Sequence, residues 1–421
     1  MALAKLLDLV TGSALKKRSW QEICHDLSRL KDEASVLRLA EELLSRYDEF
    51  DEDAQFEFFS YLLNEFRVDQ QRLEAAIHAY LEENSPLNVQ AINRASQPAR
   101  RSLFEIINMC PRGTQHLLEM RVALKRHIKR EPELQAVDSD LETLFLNWFN
   151  RGFLTLKKID WTTPSFILEK LIKYEAVHEI TGWDDLKRRV STGRRCYAFF
   201  HPALPDEPII FVQVALVKGL ASSIGHLLAE DAQEQMDEGA ADTAIFYSIS
   251  NCQQGLVGVA FGDMLIKQVA ERITRNNPQI RRFATLSPVP GFNRWLRQSL
   301  NGETLTEEEQ TIVEACLSGE TWDTAADTSR DTLTSLCAHY LINEKRGAAP
   351  LDPVARFHLR NGAHLERINW LGDPSPKGMR ESSGILVNYV YDLVTVTKNH
   401  EAYVYENDVA CSSAITQLAR R

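Results

Sequence analysis

Residues 243–274 read TAIFYSISNCQQGLVGVAFGDMLIKQVAERIT. The first eight, Thr243 to Ser250, are apolar and rich in β-formers, which predicts a strand. From Asp263 to Thr274 the apolar residues recur at helical spacing, which predicts a helix. The connector carries Gly255, Gly258 and Gly262. Glycines there let backbone N–H groups approach a ligand closely, and the helix that follows turns its positive end toward an anion. A phosphate or pyrophosphate suits such a turn. The spacing is neither Gly-x-x-x-x-Gly-Lys-Ser/Thr nor Gly-x-Gly-x-x-Gly, so a P-loop nucleotidase and a standard dinucleotide site are both disfavoured. A glycine-softened turn with no ligand is the competing reading.

Strand signals continue on both sides. Residues 196–200 and 209–216 are apolar β-formers, separated by the turn-rich residues 201–208. Residues 281–286, 357–359 and 385–396 read as later strands, and residues 306–346 as helix. Upstream of Trp161-Thr162-Thr163-Pro164 the character changes. Val36, Leu37, Leu39, Ala40, Leu43 and Leu44, then Phe56, Phe59, Leu62, Leu63 and Phe66, fall at helical spacing, and alternating strands are missing. Asp32-Glu33-Ala34 and Ser85-Pro86 look like helix start signals. The expected fold class is α+β: an all-α helical bundle over residues 1–163, then a mixed α/β domain over residues 164–421.

A chain of 421 residues suits two domains rather than one core. With 48 Lys and Arg against 59 Asp and Glu, the formal charge is −11, so a general nucleic-acid footprint is absent. A local basic groove for an anionic small molecule remains compatible with that balance. No apolar run is long enough to suggest a membrane span. Seven scattered cysteines with no Cys-x-x-Cys pair suggest free thiols in a reducing compartment. The opening MALAKLLDLVTGSALKKRSW, interrupted by Asp8, reads as a first helix rather than a signal peptide, with a transit peptide as the alternative reading. The ending lacks Ser-Lys-Leu, and a cytoplasmic location is expected. The histidines show no ligand spacing, so no metal is expected.

Three further stretches carry chemistry. In FATLSPVPGF (residues 283–292) Ser287 sits at a strand exit, held by a turn stiffened by two prolines and a glycine. The Gly-x-Ser-x-Gly of a nucleophile elbow is absent. In residues 356–370, His358 lies between Phe357 and Leu359, and in a strand it points away from both. Facing a cleft it can move a proton near neutral pH; a structural histidine is the plainer reading. Arg360 and Arg367 suit phosphates or nearby acids, and His364, close to Glu366, is expected on a solvated turn. In residues 384–391, Leu386, Asn388 and Val390 share one face and Val387, Tyr389 and Tyr391 the other. Tyr391 is placed to offer its hydroxyl to a histidine.

Taken together, four ordered segments resemble malonyl-CoA decarboxylases: SISNCQQGLVGVAFGDMLIKQV, FATLSPVPGFNRWL, RFHLRNGAHLERINWLGD and GILVNYVYDL. The resemblance implies a GCN5-related N-acetyltransferase-like second domain. It also implies a CoA cradle at Val257, Gly258, Val259, Ala260, Phe261, Gly262 and Asp263. The acetyltransferase signature Arg/Gln-x-x-Gly-x-Gly/Ala is met only at Gly258 and Ala260, with Gly255 where Arg or Gln is expected. By the same resemblance Ser287 and His358 are the catalytic pair and contact the substrate, and Tyr391 supports the histidine. At Ala260 the chain departs from animal members, which carry an acid there; a methyl group accepts no hydrogen bond.

The implied reaction converts malonyl-CoA to acetyl-CoA and CO2 without a cofactor, because loss of CO2 from a malonyl thioester leaves an enolate and needs no electron sink. Ser287 would hydrogen-bond the malonyl group and His358 would protonate the nascent acetyl carbon. A homo-tetramer assembled through the helical domain is implied too, with no nucleic-acid or membrane partner. Two other functions fit the same fold: a CoA-dependent acyltransferase, and a non-catalytic acyl-CoA sensor.

Overall fold

The computed structural model describes residues 18–29, 32–191, 193–229, 238–259, 264–302, 305–318 and 322–420. The expected first helix within residues 1–17 lies outside them, as do Ala260, Phe261, Gly262 and Asp263 of the expected cradle. Two compact units emerge. One comprises Met1–Phe153 with Pro202–Pro205 and Gln253–Ala260; the other comprises Leu154–His201, Asp206–Cys252 and Phe261–Arg421.

The first unit is helical: α1 (Trp20–Arg29), α2 (Glu33–Tyr47), α3 (Glu52–Asn64), α4 (Gln70–Glu82), α5 (Pro86–Ala95), α6 (Ala99–Met109), α7 (Gly113–His127) and α8 (Gln135–Trp148). Asp32, Asp51, Asp69 and Ser85 cap α2 to α5, each accepting a backbone N–H of the first turn, and Pro86 stands where its missing N–H costs nothing. Phe58, Phe59 and Leu62 of α3 are fully buried, as are Phe104 of α6 and Phe145 of α8. Each such side chain contributes roughly 1.5–3 kcal/mol by leaving water.

Arg121 on α7 is buried with its carboxylate partner. Its guanidinium meets Asp138 of α8 through Nε–Oδ1 at 2.6 Å and Nη2–Oδ2 at 3.2 Å. Nη1 donates to the carbonyls of Gly255 (2.8 Å) and Val257 (3.3 Å), and Lys125 Nζ donates to Val257 at 2.6 Å. The glycine-rich connector is thus pinned by its own carbonyl oxygens. Gly255 has no room for a side chain: a Cβ there would lie 2.5 Å from the Leu118 carbonyl oxygen.

The second unit is built on a mixed sheet. Its strands are β1 (Thr155–Ile159), β2 (Arg194–His201), β3 (Leu204–Val217), β4 (Thr243–Asn251), β5 (Arg282–Thr285), β6 (Ser287–Pro288), then β7 (Lys345–Arg346), β8 (Ala349–Pro350), β9 (His364–Asn369) and β10 (Leu386–Tyr391). The order is β1-β2-β3-β4-β5-β10-β6 with β9 on β10, while β7 and β8 form a separate pair. Its helices are α9 (Ser165–Tyr174), α10 (Trp183–Arg189), α11 (Ile224–Leu228), α12 (Met264–Asn276), α13 (Phe292–Ser299), α14 (Glu307–Ser318), α15 (Trp322–Ile342), α16 (Pro353–Arg360), α17 (Pro376–Ser382), α18 (Val396–Glu401) and α19 (Ser413–Leu418). The α+β class is as expected from the sequence. Among the described residues no helix is long and apolar enough to cross a membrane.

Four local readings need correction. Residues 357–359 are not a strand but part of α16, because Asp352 caps that helix and Pro353 occupies its first turn. His364 stands in β9, not on a turn. Thr155–Ile159 (TLKKI) is a strand inside the stretch read as wholly helical; its polar side chains hid it, and antiparallel pairing with β2 makes it. The strand expected over residues 385–396 ends at Tyr391, and its last residue, Val396, begins α18.

Candidate active site

Register places the site. The pairs Ala284↔Val390 and Ser287↔Val387 share one antiparallel register, so β5 and β6 run along β10 as a single ladder. That register sets Thr285 across from Tyr389. Alternation then puts Thr285, Ser287, Tyr389 and Tyr391 on one face, while Leu286, Leu386 and Val390 join an apolar cluster on the other. β4 runs parallel to β5 as far as Phe246↔Thr285, and the Leu286 N–H still donates to the Phe246 carbonyl at 3.0 Å.

His358 is delivered by α16. Asp352, fully buried, accepts the N–H groups of Val354 (2.9 Å) and Ala355 (2.8 Å) through Oδ1. Loss of solvent pushes the Asp352 carboxyl up to about 6. After the helix Gly362 turns the chain with φ +79°, where a Cβ would meet the Val396 carbonyl oxygen at 2.1 Å.

His358 Nε2 lies 3.1 Å from Ser287 Oγ, and Nδ1 lies 2.8 Å from the Tyr391 hydroxyl. The Ser287 hydroxyl donates to Thr285 Oγ1 at 2.9 Å, and the Tyr389 backbone N–H donates to the same oxygen at 3.3 Å. The imidazole stacks on the Tyr389 ring and meets Tyr391 edge-on. Ser287 is 6% exposed and His358 3%. Burial pulls the imidazole down to about 3, so it is neutral at physiological pH. A serine, an imidazole and a phenol separated by 71 and 33 positions thus form one hydrogen-bonded run.

Val257, Gly258 and Val259 of the expected cradle fall in the first unit. Val257 is exposed, Val259 is buried, and Gly258 has φ +92°. The N–H groups of Val257 and Val259 close back on the carbonyls of Gln254 and Leu256. Two of the donors expected to face an anion are therefore engaged within the turn. Arg367 donates to Asn388 and to the carbonyls of Leu220 and Ala221, a structural role. His364 pairs with Glu366 at 2.9 Å. Among the described residues no group of three or more His, Cys, Asp and Glu is placed to hold a metal ion.

Thr285 and Asp352 escaped the sequence reading, which placed Tyr389 on the Tyr391 face but gave it no role in the site. Thr285 and Tyr389 stand two residues from Ser287 and Tyr391, so period-2 alternation alone could have drawn them in. Asp352-Pro353 is a helix-start pair that would have corrected the reading of His358. A second buried imidazole, His178, lies 3.7 Å from Asp373, and burial pulls it down to about 4.

Residues 152–421 match the malonyl-CoA decarboxylase C-terminal domain, and residues 66–149 match the N-terminal domain. The chain belongs to the malonyl-CoA decarboxylase family. That is a family of carboxy-lyases, so the chain is an enzyme. It is 37% identical over 350 residues to the mitochondrial malonyl-CoA decarboxylase of Anser anser anser, spanning 76% of this chain and 69% of the relative. The crystal structure of malonyl-CoA decarboxylase from Agrobacterium vitis is similar at 44% identity and TM-score 0.90, covering 96% of this chain and 100% of the other. That from Rhodopseudomonas palustris has 44% identity and TM-score 0.89, covering 94% and 98%.

Proposed function

We propose that this malonyl-CoA decarboxylase family member converts malonyl-CoA to acetyl-CoA and CO2 through Ser287 and His358. The observation that carries the reading is the contact between Ser287 Oγ and His358 Nε2 on one face of the sheet. In the reaction the bond between the malonyl carboxylate and the α-carbon breaks. Its electron pair stays with the thioester as an enolate, and a proton then adds to that carbon. Ser287 hydrogen-bonds the malonyl group and holds the carboxylate out of the thioester plane, where the breaking bond overlaps the carbonyl π system. His358 gives its ring proton to the α-carbon; because the ring is neutral, its opposite nitrogen takes the Tyr391 hydroxyl proton in the same step, and solvent then restores the tyrosine. Tyr391 orients the ring through Nδ1. On the acetyltransferase-like reading of the second domain, residues 257–263 receive the CoA pyrophosphate or the thioester oxygen. An acyl-enzyme on Ser287 is not required, because decarboxylation transfers no acyl group.

The test is incubation with malonyl-CoA and no acceptor. Release of CO2 with equimolar acetyl-CoA is expected, and His358→Asn should lower turnover by ~10²–10³-fold. A folded His358→Asn protein with near-normal turnover sinks the assignment. The helical domain, residues 1–163, is assigned to assembly of a homo-tetramer, which light scattering of the purified protein tests. The reaction handles the thioester units of fatty acid metabolism. All seven cysteines are free thiols, which supports a cytoplasmic setting; cell fractionation tests it.

A further inference from the structure

Ser287 has two hydrogen-bonding neighbours and a single proton to share between them. That proton points to Thr285: Ser287 Oγ donates to Thr285 Oγ1 at 2.9 Å. Thr285 is fully buried, and its oxygen also takes the Tyr389 N–H, so both of its acceptor positions are in use. With the serine proton committed, the 3.1 Å contact between Ser287 Oγ and His358 Nε2 needs its hydrogen from the ring. A neutral imidazole carries one N–H and one lone pair. If Nε2 bears the hydrogen, Nδ1 is the acceptor, and the Tyr391 hydroxyl 2.8 Å away is the group that donates to it. Burial keeps the ring neutral, so a doubly protonated ring does not compete.

We infer that Thr285 is a positioning residue that sets the polarity of the site: hydrogen bonds run one way, from Tyr391 to His358 to Ser287 to Thr285, and His358 rests as the Nε2–H tautomer. The inference deepens the decarboxylase reading and takes its chemical meaning from it. In a serine hydrolase the run points the other way: the serine donates to the imidazole, and a carboxylate holds the opposite N–H. Here Nε2 has no lone pair to receive the serine proton, and Nδ1 meets a phenol. In the resting site Ser287 is therefore not activated as a nucleophile; when the malonyl group binds, the serine proton turns from Thr285 to a malonyl oxygen, and the ring proton stands on the Ser287 side, where that group is proposed to bind.

The test uses the full-length protein labelled with 15N-histidine, without substrate. Nitrogen chemical shifts identify the tautomer, and the signal lost in His358→Asn assigns the ring. The wild type and Thr285→Ser, which keeps the hydroxyl, should both show Nε2–H. Thr285→Val removes the acceptor, releases the serine proton toward Nε2 and should move the ring to Nδ1–H. Labelling of Ser287 by a fluorophosphonate, followed by mass spectrometry, should rise about tenfold or more in Thr285→Val, the equivalent of one hydrogen bond. An Nδ1–H ring in the wild type overturns the inference, and so does an unchanged ring in folded Thr285→Val. If Thr285→Val does not fold, the tautomers of the wild type and Thr285→Ser decide. A wild-type Nε2–H ring in a protein that releases no CO2 would sink the decarboxylase reading and leave the polarity standing.

Discussion

His358 lies face to face with Tyr389, the ring centroids 4.7 Å apart and the planes 26° from parallel. Tyr389 is almost fully buried, its hydroxyl has no hydrogen-bond partner among the described residues, and burial holds that hydroxyl well above the usual range. The ring is what matters here. Tyr389→Phe should keep turnover and leave stability unchanged or improved, because it removes a buried hydroxyl that makes no bond. Tyr389→Leu should cost about 1–3 kcal/mol and lower kcat, since it opens space beside the imidazole. Urea unfolding and CO2 release separate the two variants.

Tyr391 places its hydroxyl on His358 Nδ1 at 2.8 Å. Tyr391→Phe leaves that nitrogen buried without its donor. A loss of about 1.4 kcal/mol, or tenfold in rate, is expected, in kcat rather than in KM. A fall in affinity with kcat intact would mean that Tyr391 touches substrate instead.

Stability should fall as pH falls from 6 to 4. Burial pulls His358 from 6.5 to about 3 and His178 from 6.5 to about 4, so both imidazoles take up a proton in the unfolded chain but not in the folded one. Both stabilities are present above the unfolded histidine value and are lost as pH drops below it. Asp352 works in the opposite sense. Raised from 3.8 to about 6, it is protonated in the folded chain first. These three groups leave the unfolded chain one proton ahead, a slope of about 1.4 kcal/mol per pH unit. His358→Gln removes one of the two imidazoles and should flatten that slope toward zero. Tm against pH for the two proteins checks it.

Arg121 and Asp138 are a buried pair in which one partner cannot be removed cheaply. Arg121→Met strands the Asp138 carboxylate and releases the Gly255 carbonyl, while the Val257 carbonyl keeps its bond from Lys125. A loss of about 3–5 kcal/mol is expected by denaturant unfolding. Faster hydrogen exchange at Leu256 to Val259 should accompany it.

Much of this architecture is written in local chemistry. Asp32 and Ser85-Pro86 announce their helices because a side-chain oxygen beside free N–H groups needs no distant partner. Alternation in residues 386–391 sorts Tyr389 and Tyr391 from Asn388 because a strand turns successive side chains to opposite faces. The same rule misleads at Phe357-His358-Leu359, where three residues are too few to tell a period of 2 from one of 3.6. Thr155–Ile159 is invisible for another reason: its pairing with β2, not its own polar side chains, makes it a strand. The active-site run belongs to the tertiary structure alone. No local pattern brings Ser287, His358 and Tyr391 together, removes the water that would keep the imidazole basic, or points the serine proton at Thr285. Desolvation and hydrogen-bond direction depend on every group packed around an atom, and most of those groups lie far away along the chain.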